Sequence, residues 1–264
     1  MGRRSVLASL LAAMFAGRSR ADTGTVGDQA QVPKGPEIVT IDDPRYKAFA
    51  KARRTYWSKL GPVDDDVLTY LVSPEFEGAP AWPTTRQSFC VVRPESGLIL
   101  ASDGLSDLFV DTDMSDAGFG CEVYIETDLP TGSDFQSIRS SWQFSLIENF
   151  ARNVANMGGI EHQLESYRIL SMELPAPSGC PEDWLNDNEM IGVLINLSVP
   201  DRNGYCQLDD THRIRMVPIT ILRPDELALV VSGGADAREK LASLLVAKGV
   251  GLRSPSSRKS VASN

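Results

Sequence analysis

The chain has 264 residues, 42% of them hydrophobic, and a formal net charge of −9. That length suits one large domain or two small ones and allows a substantial core. The acidity argues against nucleic acid, whose phosphates it would repel, and would steer a basic partner inward.

At the N-terminus, Arg3-Arg4 precede a short apolar run from Val6 to Ala16, and Ser19-Arg20-Ala21 places small residues where a signal peptidase reads. The run is too short to span a bilayer. Residues 1–21 therefore read as a cleaved export signal, and the paired arginines followed by Ser5-Val6-Leu7 make it twin-arginine-like. The expected location is periplasmic or secreted; an uncleaved segment or a misplaced start codon would leave the chain cytoplasmic. No later segment has the length and apolarity of a membrane helix.

Residues 22–41 are rich in Gly, Gln and Pro and read as a flexible linker. Asp42-Asp43-Pro44 opens a helix continued by Tyr46, Phe49, Ala50, Arg53 and Trp57. The run Val67 to Val72 fits a short helix or a strand. Ser88 to Val92 and Gly97 to Ala101 flank a turn and predict a hairpin. Gly118-Phe119-Gly120 leads into an alternating strand from Cys121 to Glu126. Ser133 or Asp134 can then cap a long helix, on which Phe135, Ile138, Trp142, Leu146, Ile147, Phe150 and Val154 form one apolar stripe ending at Gly158-Gly159. Further strands are expected over Tyr167 to Leu174, Met190 to Leu197 and Ile214 to Leu222. Helices follow over Pro224 to Val231 and Ala235 to Lys248, broken at Gly233-Gly234. Residues 251–264, rich in Ser and basic residues, read as a disordered tail. Strands without regular helix alternation argue for an α+β fold: a mixed, mainly antiparallel sheet with a long amphipathic helix packed on it and two C-terminal helices.

The sequence carries few signs of catalysis. There is no P-loop, no G-x-G-x-x-G, no H-E-x-x-H and no nucleophile elbow, and the only histidines are His162 and His212. No catalytic residue, cofactor or metal site is assigned. The acidic run Asp103, Asp107, Asp111, Asp113, Asp116 is the one alternative, for an exported hydrolase or a metal-binding loop. Asp111, Asp113, Ser115 and Glu122 take calcium-loop spacing, but Asp116 stands where that loop needs glycine. Four cysteines could form two disulfides in an oxidising compartment, and Cys180 with Cys206, both in loops, is the pair expected to bridge. If Val123 and Ile125 point inward, Glu122, Tyr124 and Glu126 point outward and form the expected partner-binding face.

Gly118-Phe119-Gly120-Cys121-Glu122-Val123-Tyr124, followed by Trp142, Leu146, Ala151 and Arg152, resembles the strand and helix at the centre of the Suppressor of fused-like domain. Met216-Val217-Pro218-Ile219-Thr220 with Pro224-Asp225-Glu226-Leu227 resembles that family's closing strand and the acidic start of its last helices. The resemblance places one such domain at 42–250. It implies a non-enzymatic domain that binds, and sequesters or neutralises, a partner protein, as immunity-type relatives are thought to do.

Overall fold

The computed structural model describes residues 38–84, 86–112 and 116–262. The export signal and most of the linker lie outside the described residues.

Helix α1 (Pro44–Trp57) starts as its sequence dictates: the Asp43 carboxylate accepts from the Arg45 amide and proline occupies the first turn. After β1 (Leu68–Thr69), strands β2 (Ser88–Val92) and β3 (Leu98–Ser102) form the expected hairpin, and β4 (Cys121–Thr127) pairs with β3. The single long helix of the apolar stripe is instead two: α2 (Phe135–Arg139) and α3 (Trp142–Asn156). Each has its own cap. Asp134 accepts from the Ser137 amide, and Ser141 accepts from the Phe144 amide, so the chain restarts at Ser141 rather than running through. Trp142 therefore sits in the first turn of α3 and is only partly buried, while Phe150 is fully buried.

Helix α4 (Glu161–Tyr167) and strands β5 (Leu170–Pro175), β6 (Met190–Ile195), β7 (Tyr205–Gln207) and β8 (Arg213–Leu222) follow. Strand order is β1-β2-β3-β4-β8-β6-β5, with β7 also on β8. Among the described strand pairs only β4–β8 is parallel. Strand β6 pairs with the C-terminal half of β8 and β7 with its start. Helix α5 (Pro224–Ala247) covers both predicted C-terminal helices; Gly234, at φ 61 and ψ −139, breaks its regularity where Gly233-Gly234 marks the sequence. The fold is α+β, as expected.

Hydrophobic residues fill both faces of the sheet. Val123 and Ile125 pack with Phe144, Leu146, Ile147 and Phe150 of α3 on one side. On the other, Ile99, Ala101 and Tyr124 pack with Phe49 and Trp57 of α1 and with Leu241 and Leu245 of α5. A strand covered on both faces has no solvent side for its alternate residues.

The tail also departs from expectation. Residues 251–262 are not a loose end but a strap laid on the fold. The backbone of Arg253 makes a parallel β-bridge with that of Glu126, and the Ser256 amide and hydroxyl both donate to Asp128. The guanidinium of Arg258 is buried, donates to both Glu226 carboxylate oxygens at 2.7 and 2.6 Å, and with Arg223 lies over the Trp184 ring. Glu226 also accepts from the Val261 amide. Composition alone could not reveal that one basic residue of this Ser-rich stretch is an internal counter-ion.

Candidate protein-binding edge

The sequence nominated Glu122, Tyr124 and Glu126 as one outward face, and the structure corrects this. Glu122 is 0% exposed and Tyr124 is 2% exposed, because α1 covers the side of β4 expected to meet solvent. Trp57 of α1 packs edge-on against the Tyr124 ring at 5.2 Å. Only Glu126 approaches the surface, and Arg202 holds it with two hydrogen bonds, at 2.8 and 3.2 Å.

Glu122 is instead the centre of an internal polar cluster. Its carboxylate accepts from the Ser102 and Ser106 hydroxyls and from the Gly104 and Ser106 amides. Arg53 of α1, itself buried, stands 3.7 Å away and donates to Asp103 at 2.7 Å and to Asp107 at 2.8 Å. Burial pushes the Glu122 carboxyl up, and Arg53 opposes that push without cancelling it. Asp107 is raised in the same way. Burial also opposes the Arg53 charge, yet Asp103, Glu122 and Asp107 outweigh it and hold the guanidinium firmly protonated. Gly118, at φ 49, lets the chain pass close to this turn, because a Cβ there would collide with the Leu105 and Asp107 carbonyls. The first glycine before β4 thus serves a close backbone approach, whereas Gly120, at φ 71 with open space around it, serves the left-handed turn into the strand.

This cluster also accounts for part of the acidic run proposed as a hydrolase or metal loop. Asp103 and Asp107 do converge, but on Arg53. Asp111 and Asp116 are exposed, and Asp113 and Ser115 lie outside the described residues. Glu122, the last position of the calcium spacing, is inside the fold with its lone pairs engaged. Among the described residues no group of three His, Cys, Asp or Glu side chains is placed to hold a metal ion.

The expected disulfide is corrected too. All four cysteines are free thiols. Cys180 packs at the margin of the core under α3, whereas Cys206 is buried in the core under α1 and α5, so the sheet separates them. Burial pushes both thiols up, to about 11.

The sheet offers two edges, and they differ. Strand β1 is two residues long, and Arg139 of α2 donates to its Thr69 carbonyl at 2.7 Å, which blunts that edge. Strand β5 is six residues long and, among the described residues, has β6 as its only strand partner. Alternate backbone groups of β5 therefore face away from the sheet. Leu170 and Met172 anchor the strand on the core, while Glu173 and Pro175 are exposed. A charge and a proline guard the edge against indiscriminate pairing and leave a stretch between α4 and Pro175 where a further strand could add. Sequence reasoning placed this strand but could not see that it ends the sheet, since edge position is set by pairing order.

No protein-family model and no curated protein matches the sequence. Solved structures do match. A Suppressor of fused chain in the Sufu–Fu complex crystal structure superposes with a TM-score of 0.50 at 15% identity, over 83% of this chain and 92% of that one. The fold is that of Suppressor of fused. The Drosophila Suppressor of fused structure also matches, with a TM-score of 0.47 at 14% identity, and there this chain spans 51% of the longer protein. At such identity the likeness to Suppressor of fused is one of fold, and it agrees with the motif resemblance at Gly118–Tyr124 and Met216–Thr220.

Proposed function

We propose that this chain is a protein-binding domain that acts without catalysis, by accepting an extended segment of its partner at the open edge of β5. The observation that carries this reading is the edge itself: six residues, anchored by Leu170 and Met172, with one side of the backbone unpaired in the sheet. Main-chain pairing to such an edge supplies affinity, and alternate side-chain contacts supply selectivity. The fold supports the reading, since the Suppressor of fused neighbour was crystallised in a complex with Fu. The finer role is sequestration, with neutralisation of a toxic partner in the immunity manner as its sharpest form. The Arg3-Arg4 signal would put that partner in the cell envelope or outside. A fusion of residues 1–30 to a reporter active only after export tests that location: signal is expected, and Arg3→Lys with Arg4→Lys should abolish it.

The binding reading is tested with two prolines. Met172 and Glu173 are neighbours, so in an antiparallel ladder one directs its amide to β6 and the other directs it outward. Proline at the outward position should keep the fold and abolish capture of the partner, whereas proline at the inward position should destabilise the sheet. Full partner capture by a folded, outward-blocked variant would overturn the assignment.

A further inference from the structure

We infer that the groove between α1 and β7 is a second contact for the same partner and takes an acidic, extended peptide segment. The inference rests on the protein-binding reading above but not on the β5 edge. The groove encloses about 460 Å³ and is lined by Lys51, Thr55 and Lys59 on one wall and by Asn203, Tyr205 and Gln207 on the other. In a chain of net charge −9, this groove has no carboxylate in its lining.

The lysines are arranged rather than scattered. Lys47, Lys51, Thr55 and Lys59 follow one another at intervals of four on α1 and its C-terminal continuation, so they share one face. Like charges four apart on a helix repel each other, and no ion pair offsets them: none of the three lysines forms one with any described residue. Across the groove, Arg213 lies over the Tyr205 ring at 4.3 Å and adds a further cation to that wall. Of the two acids on the β7–β8 turn, Asp209 is taken up by the Thr211 amide and by His212, and Asp210 is exposed outside the groove lining. Ala48, Ala52 and Leu208 give the groove an apolar floor. The amide side chains of Asn203 and Gln207 and the outer side of β7, whose only strand partner among the described residues is β8, supply hydrogen-bonding groups.

These features select the ligand. Lys51 lies on α1 and Lys59 on the turn that follows it, eight residues on, or about 12 Å at the helical rise of about 1.5 Å per residue. An extended chain covers that distance in about four residues, with alternate side chains on one face. Two carboxylates four positions apart, with apolar residues between them facing the floor, match the groove. The net charge of the whole chain favours a basic partner at long range, and this groove is the local exception that fixes where the partner's acidic segment docks. A stacked or paired nucleic acid fits less well, because of the two aromatic residues in the lining Tyr205 already carries Arg213 and Arg215 on its ring, and Tyr56 is buried with its hydroxyl donating to the Asn203 carbonyl.

The test uses the full chain and a labelled heptapeptide of alternating Glu and Val, with the matching Lys/Val peptide as control, read by fluorescence anisotropy at low and at physiological ionic strength. The Glu peptide should bind and the Lys peptide should not. Lys51→Glu with Lys59→Glu, both exposed and so tolerated by the fold, should weaken binding about tenfold or more, while Lys51→Arg with Lys59→Arg should retain it. A Met172→Pro or Glu173→Pro chain that still folds should bind the Glu peptide normally, which separates this groove from the β5 edge. Equal binding of the two peptides, unchanged binding by the charge-reversed chain, or displacement by a thymidine oligonucleotide as effective as by unlabelled peptide would each overturn the inference.

Discussion

Strands β4 and β5 contain comparable polar residues and use them in opposite ways. Strand β4 lies at the centre of the sheet, has hydrophobic layers on both faces, and turns Glu122 into the anchor of a buried cluster that fastens α1 and the turn from Ser102 to Asp107 to the sheet. Strand β5 lies at the margin, half-buried, with Glu173 in solvent and one ladder unmade. Polar side chains at the centre are committed to holding the fold, whereas at the periphery backbone groups stay open to the strand addition proposed above. On the reading proposed above, the strand with the most conspicuous motif is therefore not the strand that meets a partner.

The strongest challenge to this contrast is to remove a member of the central cluster. Glu122→Ala leaves Arg53 buried beside Asp103 and Asp107 but strips the Ser102 and Ser106 groups of their acceptor, and Arg53→Ala takes the counter-ion from Glu122 and Asp107 while Asp103 keeps Arg86. Breaking a buried pair from one side costs about 3–5 kcal/mol, and urea denaturation should show a loss of that size for each. A loss below about 0.5 kcal/mol, as surface changes give, would mean that Glu122 faces solvent after all. Phe150→Ala should cost about 3–5 kcal/mol as a core truncation, and Trp142→Ala distinctly less, because Trp142 is only partly buried at the start of α3. Equal costs would restore the single continuous helix expected from the stripe.

The strap gives the next effect in size. Arg258→Ala leaves Glu226 buried without its guanidinium, and a cost of about 3 kcal/mol is expected. Removing residues 253–262 should cost at least as much, whereas a disordered tail could be deleted without effect. A smaller, pH-dependent change accompanies it. The Ser256 amide and hydroxyl hold the Asp128 carboxyl below its usual range, against the opposing pull of burial. A depressed folded pKa contributes stability above the unfolded value of about 3.9 and loses it as pH falls through the folded value. Hydrogen exchange at Ser256 should therefore quicken below about pH 4, after correction for intrinsic rates, and Asp128→Asn should remove that acid-dependent step. The smallest effect belongs to the margin: Glu173→Gln should shift stability by no more than about 0.5 kcal/mol.

The sequence made the element order legible where local signals are strong. Pro44 after Asp43, the hairpin around Pro94-Glu95-Ser96-Gly97, and the Gly233-Gly234 break each specify local backbone geometry, and the structure follows them. The motif at Gly118–Tyr124 pointed to the right fold. What stayed hidden depends on contacts distant in sequence. Cys121-Glu122-Val123-Tyr124-Ile125-Glu126 alternates like a half-exposed strand, and only the placement of α1 over it shows that both faces are covered. Ser141 caps a second helix inside what reads as one periodic stripe. Arg258 looks like a tail residue until Glu226 is seen beneath it. Cys180 and Cys206 share a loop-like context in the sequence but lie on opposite sides of the sheet. The open edge of β5 follows from strand order alone.

The claim that the margin binds and the centre holds is tested most directly by amide hydrogen exchange across β5, with and without the captured partner. Strand addition predicts that the outward amides among residues 170–175 gain protection on binding, in alternation with inward amides already protected by β6, while the amides of β4 are unchanged. Protection that appears elsewhere on the surface while β5 exchanges as before would contradict the account.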